Sequence, residues 1–144
     1  MIRVETSIII NRPVAEVFAY VADFENMPKW ETDFQKVERL SPGASTIGSK
    51  FRAQLKMPGS IANSIFTLTG YEANKRIAFE GEPAGPMKPV GSFVFEAVPG
   101  GTNVTSLPAP EPRGLFKLMA PMMAGTIEKR NQAHLVSLKQ LLET

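Results

Sequence analysis

Hydrophobic and polar residues alternate most clearly over residues 50–57, where apolar side chains take every second position and polar or charged ones take the rest. Such alternation predicts a strand with one face in the core and the other in solvent. The other predicted strands are residues 3–10, 34–40, 64–72, 76–80, 91–98 and 103–107. Turn signals at residues 42–43, 58–59, 74–75, 85–86 and 99–101 separate the strands from residue 34 onward. Their short spacing favours antiparallel hairpins.

Helical patterns flank this run of strands. Residues 14–21 carry valine and phenylalanine at helical spacing directly after Pro13, which suits the first position of a helix. The chain then breaks at residues 23–28, and residues 29–32 predict a second short turn or helix. Residues 127–143 predict a long amphipathic helix. Pro121 interrupts the Met-rich segment before it, which favours a mobile segment over a continuous helix.

The apolar face of the C-terminal helix includes two polar residues, Asn131 and the chain's only histidine, His134. At the period of an α-helix they share one stripe with Phe116, Ala120, Met123, Ile127, Leu138, Leu141 and Leu142. A polar pair inside an apolar stripe needs hydrogen-bond partners. Those partners are either other protein groups or a bound ligand.

The order of elements predicts one α+β domain over residues 1–144. A strongly twisted antiparallel sheet curls, and the long helix is the element able to cover its concave side. The predicted inner face mixes large and small residues, namely Phe51, Phe93 and Phe95 with Ala53, Ala97 and Ser106. Such a mixture predicts a cavity between the sheet and the helix.

Composition excludes several classes of function. The 16 Lys and Arg are scattered among 14 Asp and Glu, so no patch suited to nucleic acid is predicted. Zero cysteines and one histidine leave no cluster for a transition metal, and the lack of cysteine fits a reducing cytoplasm. No apolar stretch is long enough to span a bilayer, which excludes an integral membrane segment. Residues 43–50 imitate a phosphate loop, but a strand pattern follows them, so no nucleotide or other cofactor is predicted.

Five short motifs follow one another along the chain, namely Pro13-Val14-x-x-Val17-Phe18, Asp23-x-x-x-x-Pro28-x-Trp30, Gly48-x-x-Phe51, Gly101-Thr102-x-Val104-Thr105 and Glu111-Pro112-Arg113-Gly114-Leu115. With these motifs the whole chain resembles the polyketide cyclase/dehydrase branch of the START-like (SRPBCC, Bet v 1-like) superfamily. The resemblance implies a helix-grip fold, in which a curved antiparallel sheet of about seven strands wraps around a long C-terminal helix, with two short helices after the first strand. It also implies a deep apolar pocket, while the activity stays open because one fold supports many functions.

Each candidate site residue has two interpretations. Trp30 matches the family's tryptophan at the pocket mouth and could stack on a flat ligand, or it could anchor the second short helix on the sheet. Met119, Met122 and Met123 could form an adaptable gate, or they could be ordinary core or a dimer contact. Trp30, Met119 and Met123 are therefore predicted ligand contacts.

The candidate catalytic residues also have two interpretations each. His134 could act as a general acid/base, or it could be a core histidine held by a backbone carbonyl or by Asn131. Arg113 could hold a carboxylate or enolate of a ligand, or it could tie its loop to the backbone. Glu31 and Asp33 could take up protons at the mouth, although exposed carboxylates usually have no such role.

Two main hypotheses of function follow. The first is binding of a hydrophobic, cyclic or aromatic small molecule, including lipids, with predicted contacts at Trp30, Phe51, Leu55, Phe93, Phe95, Ser106, Met119, Met123, Ile127, Asn131 and His134. The second is a cofactor-free polyketide cyclase or dehydratase, in which His134 moves a proton and Arg113 stabilises an enolate. A third possibility uses the Met-rich segment as an interface, either with a partner protein or in a homodimer.

Overall fold

The structure, a computed structural model, describes residues 3–57 and 59–144. Two short 3₁₀ helices, Phe24–Asn26 and Gly114–Met119, accompany the main elements. The strands and helices in chain order are β1 (Thr6–Ile10), α1 (Val14–Ala22), α2 (Met27–Trp30), β2 (Phe34–Arg39), β3 (Lys50–Met57), β4 (Ser60–Glu72), β5 (Arg76–Gly81), β6 (Met87–Lys88), β7 (Val90–Val98), β8 (Gly101–Pro108), β9 (Glu111–Pro112) and α3 (Ala120–Glu143).

Seven of these strands form one antiparallel sheet in the order β1-β8-β7-β5-β4-β3-β2. Register shifts interrupt the pairing at Phe34/Lys36 and at Leu68/Gly70. Such irregularities bend a strand and increase its twist, which helps the sheet to curl around α3. The predicted α+β helix-grip fold, with its curved seven-stranded sheet, two short helices after the first strand and long terminal helix, is confirmed.

The buried face of α3 differs from the predicted stripe at both of its ends. Ala120, Asn131, His134, Leu135 and Leu138 are buried. Phe116 and Leu141, which the stripe includes, are 41% and 38% exposed, whereas Leu135, which it omits, is completely buried. The buried stripe of the helix is therefore rotated toward Leu135 relative to the predicted one.

Pro121 does not interrupt α3. It lies in the first turn of the helix, which begins at Ala120, and there the missing N–H of proline costs no hydrogen bond. Gly125 lies inside the same continuous helix. The prediction of a broken segment was wrong because the sequence pattern placed the start of the helix after the proline. The two-residue strands β6 and β9, which pair with each other, were also not predicted, because strands so short carry no periodicity.

The C-terminal end of α3 is tied to β1 by a small polar cluster. The backbone N–H of Asn11 donates to Glu143 Oε2 over 2.8 Å, and Lys139 Nζ donates to both Glu143 Oε2 and the Ile9 carbonyl, each at 2.6 Å. The hydrogen bond from Asn11 and then that from Lys139 lower the pKa of Glu143. This cluster holds the C-terminal end of the helix on the sheet, while the N-terminal half extends over a cleft.

Candidate ligand-binding cleft

A cleft of about 320 Å³ lies between the sheet and the N-terminal half of α3. This volume falls at the lower end of the range for small-molecule sites, roughly 300–1,000 Å³. Its walls are mainly apolar, and the lining residues are Glu31, Asp33, Phe34, Leu55, Lys56, Met57, Phe66, Phe79, Ala84, Met87, Pro89, Val90, Pro108, Pro110, Met123, Ile127 and Arg130.

The cleft separates two hydrophobic clusters. The main core contains Phe34 and Phe66, with Leu55 and Phe79 packed against it. A smaller cluster, which we call the satellite cluster, consists of Val4 and Ala120 with Met87, Met123, Ala124 and Ile127 packed against them. Side chains of both clusters line the cleft, so the space lies where the two apolar surfaces do not meet.

Aromatic rings form much of the wall on the sheet side. Phe66 and Phe79 are stacked, with ring centroids 5.2 Å apart and an angle of 11° between their planes. Phe34 meets Phe66 edge-on at 5.7 Å. Antiparallel pairing of neighbouring strands holds Phe66 on β4 and Phe79 on β5. Flat, fixed rings of this kind offer a large apolar contact area with few rotamers to lose.

Prolines form another part of the wall. Pro89, Pro108 and Pro110 line the cleft near the small β6–β9 sheet. The backbone N–H of Arg113 donates to the Pro86 carbonyl over 2.7 Å and joins the two segments that carry these prolines. We call this part of the wall the rim. Because proline fixes φ, the backbone of the rim has little conformational freedom even without a ligand.

Charged side chains are gathered at one end of the cleft. Arg130 on α3 forms a salt bridge with Asp33, and the backbone N–H of Lys56 donates to the Asp33 carbonyl over 2.8 Å. Glu31 lies deeper, with only 15% of its side chain exposed, against 36% for Asp33. The cleft thus has an apolar body and a polar end, which suits an amphipathic molecule.

The predicted site residues divide between the cleft and the core. Leu55, Met123 and Ile127 line the cleft. The three phenylalanines lie in the main core, where Phe51 packs near Phe24, Phe93 near Trp30 and Phe79, and Phe95 near Phe18. Ala97, predicted to face inward, is exposed because it lies near the end of β7. A role in ligand contact stays a prediction for the three phenylalanines.

Trp30 is almost completely buried. Its indole meets Phe93 edge-on with ring centroids 5.7 Å apart, and this contact attaches α2 to the sheet. Its Nε1 has no hydrogen-bond partner within residues 3–57 and 59–144. Met119, the last residue of the 3₁₀ helix that precedes α3, and Arg113, directly before that helix, are exposed by contrast. A role in ligand binding or catalysis stays a prediction for these three residues.

The polar pair on α3 finds protein partners. Ser106 Oγ donates to Asn131 Oδ1 over 2.9 Å, and Asn131 Nδ2 donates to Thr6 Oγ1. His134 Nε2 lies 3.3 Å from Thr32 Oγ1, and its Nδ1 lies 3.5 Å from Glu31 Oε1. Protein groups thus contact both residues, but the partners of His134 are side chains of Thr32 and Glu31, not a backbone carbonyl or Asn131. A role in ligand binding or catalysis stays a prediction for Asn131, His134 and Ser106.

Sequence reasoning missed part of the cleft. Phe66 and Phe79 occupy inward positions of β4 and β5, so strand alternation could have found them. The contact between Glu31 and His134 joins residues far apart in the sequence, and only the placement of α2 against α3 reveals it. The prolines of the rim are typical of turns, and a turn pattern does not indicate that these residues line the cleft.

The described residues offer neither a membrane-spanning helix nor a cluster of metal ligands. No helix within the described part of the chain combines the length and apolarity needed to cross a bilayer. Among the same residues, no group of three or more His, Cys, Asp or Glu could hold a metal ion.

Comparison with known proteins places this architecture in a family. The family model described as polyketide cyclase / dehydrase and lipid transport matches residues 1–143. Comparison with curated protein sequences finds no match.

Solved structures share the fold at low sequence identity. A START superfamily protein from Mycobacterium smegmatis has a TM-score of 0.82 and 16% identity, over 98% of this chain and 97% of that one. The Zhui aromatase/cyclase from Streptomyces sp. R1128 has a TM-score of 0.74 and 17% identity, over 98% and 93% of the two chains. BexL, a di-domain ARO/CYC from the BE-7585A biosynthetic pathway, has a TM-score of 0.78 and 22% identity, over 99% of this chain and 47% of BexL. At these identities the structural similarity establishes the fold alone. Because the family model matches nearly the whole chain, this protein belongs to the polyketide cyclase / dehydrase and lipid transport family.

Proposed function

We propose that the protein binds a hydrophobic, cyclic or aromatic small molecule in the cleft between the sheet and α3. The observation that supports it most is the apolar space between the main core and the satellite cluster. Filling this space with an apolar molecule removes surface from water on both sides, at about 25 cal/mol per Å². Lipids with ring systems belong to the same class of ligand.

We expect native mass spectrometry of the purified protein to detect a co-purifying hydrophobic molecule. After extraction of that molecule, the neutral dye N-phenyl-1-naphthylamine should bind at about one site per chain and brighten as its surroundings become apolar. A chain that carries no small molecule and leaves the dye unbound would contradict the proposal.

A cyclase or dehydratase acting in the same cleft is the second candidate, and the contact between His134 and Glu31 supports it. A carboxylate beside an imidazole is an arrangement found at general acid/base sites, and Glu31 lies in the cleft wall. The similarity in fold to aromatase/cyclases is compatible with this activity.

His134→Gln separates the two candidates, because glutamine keeps hydrogen bonding and removes titration. If binding is the function, ligand affinity should change by only about 1–2 kcal/mol and any turnover should stay nearly intact, and we expect this result. A cyclase that depends on His134 would lose roughly 10²-fold or more in turnover. The measurement is cyclisation of a polyketide-like substrate beside dye affinity, and a hundredfold loss of turnover with folding and affinity preserved would reverse the ranking.

We also propose a homodimer and a cytoplasmic location. The 3₁₀ helix before α3 and the first turn of α3 expose Leu115, Leu118, Met119 and Met122, of which Leu115 and Leu118 are 82% and 80% exposed. Exposed apolar residues that cluster in this way often mark an interaction surface. The absence of cysteine from the sequence fits a reducing compartment.

A further inference from the structure

Glu31 places a nearly buried carboxylate in the wall of the cleft. It directly follows α2, and its backbone is fixed by two hydrogen bonds, from its own N–H to the Met27 carbonyl over 2.8 Å and from the Phe34 N–H to its carbonyl over 3.2 Å. Only 15% of its side chain is exposed. The backbone therefore holds this carboxylate at a defined position beside an apolar space.

The hydrogen-bonding capacity of this carboxylate is largely unused. Among residues 3–57 and 59–144, the polar side chain in contact with it is His134, whose Nδ1 lies 3.5 Å from Oε1, longer than an ordinary N–H···O hydrogen bond. Within the described residues, Oε2 makes no hydrogen bond. A carboxylate can accept about four hydrogen bonds, so acceptor positions remain for a ligand donor that enters the cleft.

The other charged groups at this end of the cleft are engaged or more exposed. Arg130 occupies the carboxylate of Asp33, and Lys56 has an exposed side chain. An anionic ligand group would meet two carboxylates here, while a cationic group would meet Arg130 and Lys56. A neutral hydrogen-bond donor avoids both conflicts.

We propose that the ligand carries a hydroxyl group, phenolic or alcoholic, which donates its hydrogen bond to the Glu31 carboxylate while the apolar ring system fills the cleft. This inference rests on the proposed binding function and adds the chemical class of the ligand's polar end.

Two probes of almost the same shape test this proposal, namely 2-naphthol and 2-methylnaphthalene, which differ by a hydroxyl in place of a methyl group. The ratio of their affinities reports the hydroxyl contact, because ring burial is common to both. The preference for 2-naphthol should fall by about 5-fold in Glu31→Gln, which keeps a weaker neutral acceptor, and by about 10-fold or more in Glu31→Leu, which keeps none. In the matched control Asp33→Asn the ratio should stay within about 2-fold, because Arg130 already occupies that carboxylate.

A second measurement uses the unaltered protein and does not depend on the folding of variants. Excited 2-naphthol is a much stronger acid than its ground state, so a probe in contact with a carboxylate transfers its hydroxyl proton to that carboxylate and emits as naphtholate. A probe surrounded only by apolar side chains emits as neutral naphthol. Because proton transfer to water already gives some naphtholate emission, we expect the bound probe to emit more strongly as naphtholate than the same probe free in buffer.

The outcomes separate this inference from the proposed function. If both probes bind but the ratio is unchanged in the two Glu31 variants, or if bound 2-naphthol emits only as the neutral form, the hydroxyl contact is wrong and the apolar cleft stands. If neither probe binds the unaltered protein, the proposed function itself fails, and this inference fails with it.

Discussion

Ile127→Trp should weaken the binding of N-phenyl-1-naphthylamine by roughly 100-fold or more, because the indole would occupy space that the ligand needs. Ile127 lies in the cleft wall on α3 and belongs to the satellite cluster. A larger side chain in a well-packed core costs about 1–3 kcal/mol of stability. Here the adjoining space is open, so the free energy of unfolding should fall by less than about 1 kcal/mol.

Ala133→Trp is the matched control for this variant. It adds the same indole to the same helix at an exposed position. Dye affinity and the unfolding midpoint in urea, measured for both variants, should show a loss of binding only for Ile127→Trp. Equal affinities in the two variants would place the dye elsewhere, and a loss of several kcal/mol in stability for Ile127→Trp would mean that the cleft is packed core.

The strand pattern carried most of the information about the fold. The alternation over residues 50–57 predicted β3 at its observed bounds, because this strand has one wet and one buried face. β4 begins at Ser60 instead of residue 64, since hairpin pairing with β3 extends it through residues without alternation. The local sequence pattern thus predicted the strands, whereas the positions of their ends depend on pairing with neighbouring strands.

The cleft was harder to locate from sequence. Helical periodicity brought Met123 and Ile127 to the inner side of α3, and both line the cleft. The same periodicity could not tell that Phe93 and Phe95 pack in the main core while Phe79 borders open space. That difference depends on where α3 and the satellite cluster lie over the sheet, and the periodicity of a single element does not encode this placement.

Helical periodicity alone did not show whether the polar side chains on α3 bind protein groups or a ligand. Asn131 bridges two hydroxyls that face each other across neighbouring strands, Thr6 on β1 and Ser106 on β8. All three residues are buried, at 6%, 7% and 3% exposure respectively. A buried hydroxyl that loses its partner costs about 1–3 kcal/mol, whereas removing all partners together can be nearly neutral.

We therefore expect Asn131→Leu to lower the free energy of unfolding by about 2–4 kcal/mol, because it leaves Thr6 and Ser106 without their bridge. The triple change Thr6→Val, Ser106→Ala and Asn131→Leu should recover all but about 1 kcal/mol of that loss, since no hydroxyl or amide is then left unpaired. Urea unfolding of the single and triple variants measures both values. If these residues act only in structure, the triple variant should also bind N-phenyl-1-naphthylamine with an affinity within about 3-fold of the unaltered protein, because none of them lines the cleft. A stable triple variant that has lost the ligand would instead make Asn131 and Ser106 ligand contacts, as the sequence alone suggested.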